Sequence, residues 1–198
     1  MDHDRCGPGA RWCARADAMF NAAGMHVLDV RREGRRLVVT VETDADRAGC
    51  GGCGVVATAH GRRRVTAADA PCFGASVLVV WLKRVWRCPE SACPAGTWSQ
   101  AHELVGSRAV LTSRAISWAT DALAHDDTTV SALARHLGVD WHTLWRAVKT
   151  EATARITRPG RLSSVRTIGV DEHIVRHEAL LFRMEVRDLH RLVVVATG

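Results

Sequence analysis

The sequence contains no apolar stretch long enough to cross a bilayer. Its longest run, Val77–Leu82, falls far short of the roughly 20 residues a spanning helix needs. The opening stretch MDHDRCGPGARWCARADAMF is charged throughout and has no apolar core, so it does not read as a secretory leader. No internal repeat and no low-complexity tract is present. Lysine is scarce beside arginine and alanine, a usage that suggests a GC-rich genome. These absences predict a cytoplasmic protein with no membrane partner. Of 198 residues, 47% are hydrophobic and 24% charged, the proportions of a folded chain. That length admits one or two domains.

The net charge is +6 and the pI is near 9.3, which fits a polyanionic partner without requiring one. The basic residues gather in three short segments. These are Arg31, Arg32, Arg35 and Arg36; then Arg62, Arg63 and Arg64; then Lys83, Arg84 and Arg87. Solvated loops would explain them, but clustering favours phosphate contact, where each neutralised phosphate releases counterions.

Seven cysteines in a chain without a leader suggest metal ligands or free thiols rather than disulfides. Cys50 and Cys53 form a C-x-x-C knuckle within AGCGGCG, and Cys88 and Cys93 form a second pair in RCPESACP. Glycines let the backbone turn so that both thiolates of a knuckle face one ion, and two knuckles close a tetrahedral, structural Zn2+ site. The competing reading is two unrelated thiol pairs. Cys72 is expected as a buried small residue. Cys6 and Cys13, with His3, read as free thiols in a tail or as a second site.

Hydropathy patterning predicts an α+β chain. HVLDVRREGRRLVVTVET reads as a hairpin around Gly34, and SVLVVWLKRVWR as a further strand. After about residue 103 the period becomes helical. Leu111, Ala115, Trp118 and Ala122 form one stripe, Val130, Leu133, Ala134 and Leu137 a second, and Leu144, Trp145 and Val148 a third. Within TVSALARHLGVDWHTLWRAVKTEA, small Ala134, Gly138 at the turn and core-facing Leu144 have helix-turn-helix spacing. Asp140 is placed to cap the second helix. His142, Thr143, Arg146 and Lys149 point away from its core stripe and are placed to reach a DNA groove. Trp141 packs either on the core or on the DNA backbone. An ordinary helical hairpin is the competing reading. Arg158-Pro159-Gly160 ends the helical region, and β-like runs follow at Thr167–Asp171, Leu180–Val186 and Leu192–Thr197. Asp171, at a strand end, is placed to hold Mg2+, but taken alone it reads more readily as a turn residue.

Taken in order, the β run, C-x-x-C, basic loop, Trp-containing strand, C-x4-C, GVDWHTLWRAV and IGVDEH resemble the ISL3-family insertion-sequence transposases. The resemblance runs from about His26 to about His177. Residues 1–25, polar and without pattern, read as an irregular tail ahead of it. The resemblance implies a zinc-binding β domain over 26–102 on Cys50, Cys53, Cys88 and Cys93, and a three-helix helix-turn-helix domain over 103–160. It also implies the start of an RNase H-like DDE sheet over 164–198. Arg62, Arg63, Arg64, Trp141, His142, Thr143, Arg146 and Lys149 become the candidate contacts to double-stranded DNA at terminal inverted repeats. Asp171 matches the first catalytic acid of a two-Mg2+ site.

The sequence departs from the family in two ways. HIVRHEALLFRMEVRD stands where a Gly-His-aromatic segment is usual, with His177 and Glu178 a partial echo. No second or third acid follows, since Glu185 and Asp188 lie too close and on the wrong element. The expectation is a truncated transposase that binds DNA and is inactive in strand transfer by itself. Its uncovered sheet face, around Leu180, Phe182 and Val194, would be loosely packed or would associate with another chain, a second copy or a full-length transposase. The alternatives are a non-catalytic, zinc-containing regulator or inhibitor of transposition, and a zinc-stabilised interaction module with no DNA role.

Overall fold

A computed structural model describes residues 12–43, 47–160 and 163. The chain divides into two compact units, Met1–Arg114 and Ala115–Gly198. The expected sheet over 164–198, with Asp171, lies outside the described residues, as do His3 and Cys6. Among the described residues, no helix is long and apolar enough to cross a membrane.

The first unit is a five-stranded sheet with one helix. Its elements are α1 (Ala14–Phe20), β1 (Met25–Glu33), β2 (Arg36–Thr43), β3 (Thr58–Cys72), β4 (Ala75–Arg87) and β5 (Thr97–Ser99). The order is β1-β2-β4-β3, with β5 paired to β4. Alternating valines form the expected β1–β2 hairpin, which closes Glu33 onto Arg36 across Gly34 and Arg35. β2 then runs parallel to β4, from Arg36 opposite Ser76 to Val41 opposite Trp81. β3 lies antiparallel along the other edge of β4. Where β2 ends, β5 takes over at Val85–Arg87. Gln100 stitches that junction: its side-chain oxygen accepts from the Thr43 hydroxyl at 2.6 Å and from the Arg84 N–H at 3.2 Å.

One face of the sheet buries Met25, Val27, Val39, Val41, Val77, Val79 and Trp81 against Phe20, Leu104 and Val105. Full burial of such side chains stabilises by about 1.5–3 kcal/mol each. A buried charge fixes the edge of this core. Asp69, 2% exposed, accepts from the Thr112 hydroxyl at 2.6 Å and from the Arg114 guanidinium through both of its oxygens. Arg114 also donates to the carbonyls of Phe20 and Asn21 and lies over the Phe20 ring. One arginine thus ties β3 to the end of α1.

Four expectations change here. The N-terminal segment is not wholly irregular. Residues 14–20 form α1, whose Asp17 accepts from the Val27 N–H at 2.7 Å and pairs with His26 at 2.8 Å. The basic loop at Arg62, Arg63 and Arg64 is part of β3. That half of the strand is exposed on both faces, so it lacks the apolar alternation that marks a strand in sequence. Cys72 is exposed rather than buried, because it ends β3 beside the Phe73–Gly74 turn. Leu111 belongs to no helix. It bridges Ala68, while Leu104 and Val105 join the sheet core, so this stretch packs with the first unit.

The second unit contains α2 (Ser113–His125), α3 (Val130–Leu137) and α4 (Trp141–Ile156), with α2 opening on the last two residues of the first unit. Ala115, Ala119, Ala122 and Leu123 of α2 are buried, and Trp118 is only half-buried. Arg155 of α4 pairs with Glu151 at 2.7 Å and with Asp121, and donates to Ser117 Oγ at 2.8 Å. The last two contacts hold α4 to α2.

Two stability predictions follow. Arg114→Ala leaves Asp69 buried without its cation and is expected to cost about 3–5 kcal/mol. Leu144→Ala is expected to cost about 2–5 kcal/mol by cavity formation. Urea unfolding of the purified variants measures both; a loss under 1 kcal/mol would refute the corresponding claim.

Candidate metal centre and nucleic-acid interface

The four cysteines converge although 35 residues or more separate the two pairs. The Sγ atoms of Cys50 and Cys93 are 3.6 Å apart, those of Cys53 and Cys88 are 3.5 Å apart, and all four lie within 4.8 Å of one another. Tetrahedral bonds of about 2.3 Å to zinc require sulfurs about 3.8 Å apart. A disulfide would need about 2.05 Å.

Both knuckles are shaped by backbone hydrogen bonds. The Cys50 N–H donates to the Val55 carbonyl, and the Gly54 N–H donates to the Cys50 carbonyl. In the second, the Cys88 N–H donates to Gly96 and the Cys93 N–H to Glu90. β4 delivers Cys88 to the cluster one residue past its end. Gly52 has a steric reason: a Cβ there would lie 3.2 Å from Cys93 Sγ and 3.8 Å from Cys50 Sγ.

The thiols are electrostatically unequal. The Gly52 N–H, followed by that of Cys53, lowers Cys50 to about 7. Burial pushes Cys88 up to about 12. At Cys93 the Ala95 N–H pulls the value down, but burial and the Cys50 and Cys53 thiols raise it overall. Four thiolates this close repel one another, and a divalent cation at their centre removes that penalty. The geometry and donor set therefore fit a metal such as zinc.

The candidate DNA residues fall on two surfaces, one in each unit. In the first unit, Arg62, Arg63 and Arg64 pair opposite Arg84, Lys83 and Leu82 in a basic two-stranded ribbon. Arg62 is already engaged. It donates to Glu42 at 2.6 Å, and that buried carboxylate also accepts from the Trp12 indole at 3.1 Å and has Arg84 at 3.7 Å. Arg63 and Arg64 are exposed and, among the described residues, in no ion pair.

In the second unit, the turn between α3 and α4 is built as its sequence dictates. Gly138 takes φ +69°, a conformation that costs a residue with a Cβ. The Val139 N–H reaches back to the Ala134 carbonyl at 3.0 Å, which closes α3. Asp140 caps α4 by accepting from the Thr143 N–H at 3.0 Å. The Thr143 hydroxyl and N–H together hold the Asp140 carboxyl below its usual range. Leu144, Val148 and Ala152 form the buried stripe of α4.

His142, Arg146 and Lys149 are exposed, as their positions predict. Thr143 is half-buried with its hydroxyl donated to the cap, which leaves its methyl and lone pairs for a partner. Trp141 stacks on Trp145 at 5.8 Å and meets His142 edge-on. Trp145 is a correction. It is half-buried and lines an open groove of about 540 Å3 with His142, Arg146, Lys149, Thr150 and Thr153. Its place four residues after Trp141 was the signal for this face.

Residues 100–152 match the helix-turn-helix domain of transposase family ISL3. No curated protein and no solved structure matches the chain. The matched stretch contains α2, α3 and nearly all of α4, including the Gly138 turn and the Asp140 cap. The resemblance drawn from motif order thus holds for this segment, and the chain carries the helix-turn-helix domain of an ISL3-family transposase.

Proposed function

We propose that this chain recognises double-stranded DNA for an ISL3-type transposase and targets the terminal inverted repeats of its element. The observation that carries the reading is the coincidence of the family's helix-turn-helix segment with an exposed basic and aromatic face on α4. α4 is the groove-reading helix, with Arg146 and His142 toward base edges and Lys149 toward a phosphate. Trp141 packs beside the backbone. Arg63 and Arg64, with Arg62 held by Glu42, supply phosphate contacts from the first unit.

Cys50, Cys53, Cys88 and Cys93 hold a Zn2+ ion. Four protein sulfurs leave no open coordination position, so the ion is structural and joins the end of β4 to the first knuckle. Asp171 keeps its place in this reading as a Mg2+ ligand of the catalytic domain that the resemblance implies.

Metal analysis of the purified chain is expected to give one zinc per polypeptide. Cys53→Ser and Cys88→Ser are expected to lose it, whereas Cys72→Ser retains it. Cobalt substitution should produce the intense absorption of a tetrahedral thiolate site; zinc retained by both knuckle variants would exclude the proposed ligand set.

The DNA reading is tested on a duplex selected from a random pool by the wild-type chain. Affinity is expected to fall steeply with salt, by about 0.9 logarithmic units per phosphate contact per tenfold rise. Arg146→Ala is expected to weaken binding by about 1–3 kcal/mol, and Lys149→Ala to flatten the salt dependence. Selection of no duplex, or binding indifferent to both substitutions, would defeat the assignment.

A further inference from the structure

The first unit carries a second feature that α4 does not account for. The β3–β4 hairpin turns on two residues, Phe73 and Gly74, with φ of +49° and +71°. A turn of this kind takes Asn-Gly or Gly-Gly, because its first central residue must adopt a left-handed backbone. A phenylalanine there is sterically disfavoured. It is also 77% exposed, so no packing compensates for the strain. Strain without local compensation is the kind of outlier from which a functional hypothesis starts.

The surroundings of Phe73 are basic. β2 and β4 run parallel and start together, with Arg36 opposite Ser76. The β1–β2 turn and the Phe73–Gly74 turn therefore lie at the same end of the sheet. Only one to two strand spacings, of about 4.8 Å each, separate β2 from the Phe73 turn. Arg32 and Arg35 are exposed and Arg36 half-buried at this end, and among the described residues none is in an ion pair. Arg31 differs: Asp29 and Glu33 hold it on its own strand.

We infer that this end of the sheet is a DNA-deforming contact, with Phe73 inserted as an apolar wedge at a base step and Arg32, Arg35 and Arg36 on the flanking phosphates. A lone aromatic ring projected from a ribbon tip beside unneutralised arginines matches what partial unstacking of a duplex requires. A lipid surface fits less well, because it favours an extended apolar face over a single ring. The inference rests on the DNA-binding reading above but uses residues outside the helix-turn-helix.

The test uses the full chain and the duplex it selects, labelled at both ends for energy transfer and carrying 2-aminopurine at successive steps. Wild type is expected to bend the duplex and to brighten 2-aminopurine at one step. Phe73→Asn suits the turn's backbone, so it should fold at least as stably. It is expected to lose both signals and to bind more weakly. Phe73→Leu, which keeps a wedge, is expected to restore them in part. Replacing Arg32 and Arg35 by Ala is expected to lower the log–log salt slope by about 1.8, at 0.9 per phosphate contact.

If Phe73→Asn bends and brightens the duplex as wild type does while Arg146→Ala still impairs binding, the wedge is overturned and the helix-turn-helix reading stands. If wild type selects no duplex, the DNA reading itself has failed. Loss by Phe73→Asn of co-flotation with phosphatidylserine vesicles, with DNA bending intact, would overturn the wedge in favour of a lipid contact.

Discussion

Strand β4 is the constraint on which the first unit is built. Every backbone N–H and C=O along a buried strand needs a partner, and β4 has two edges to satisfy over 13 residues. β3 covers one edge along its length, while β2 and then β5 share the other. The parallel register with β2 sends the chain from Thr43 through the first cysteine knuckle and β3 before it returns. That long excursion brings Cys50 and Cys53 to the end of β4, where Cys88 and Cys93 follow. The metal centre is therefore a product of strand pairing as much as of the cysteines.

Two buried carboxylates show how this sheet tolerates charge. Asp69 and Glu42 are each 2% exposed, and each is met by arginine and further donors. Burying a charge is costly unless it is paired and hydrogen-bonded, so both sites hold their arginines in fixed positions. Asp69 fixes Arg114 across the end of α1. Glu42 fixes Arg62 and leaves the adjacent Arg63 and Arg64 on the ribbon without an acidic partner among the described residues. The basic surface is thus sorted by the core beneath it.

How much was legible beforehand depended on the range of the interactions. The α3–α4 turn was readable because each part is local: Gly138 for the positive φ, Asp140 for the cap three residues before Thr143, Leu144 for the buried stripe. The β1–β2 hairpin was readable for the same reason. β3 was not, since its first half is exposed on both faces and its strand conformation comes from β4. α1 was hidden because its Asp17 is engaged with His26 and Val27, which are distant in sequence. Cys72 looked like core because cysteine is itself a small and usually buried residue; the turn beside it exposes it. Trp145 was assigned to the core from its neighbours Leu144 and Val148, but it sits one position off the i, i+4 row that α4 buries.

By itself, the sequence determined the cysteine pairs, the helix-turn-helix spacing and the basic composition, because each is written in adjacent residues or helical periods. Only the tertiary structure decided that the two knuckles share one centre, and that Phe73 shares an end of the sheet with Arg32, Arg35 and Arg36. It also decided that the Glu42 carboxylate takes Arg62 rather than Arg63. Those outcomes depend on which strand pairs with which and in what direction, and hydrogen bonds between distant segments leave no periodic mark on the chain.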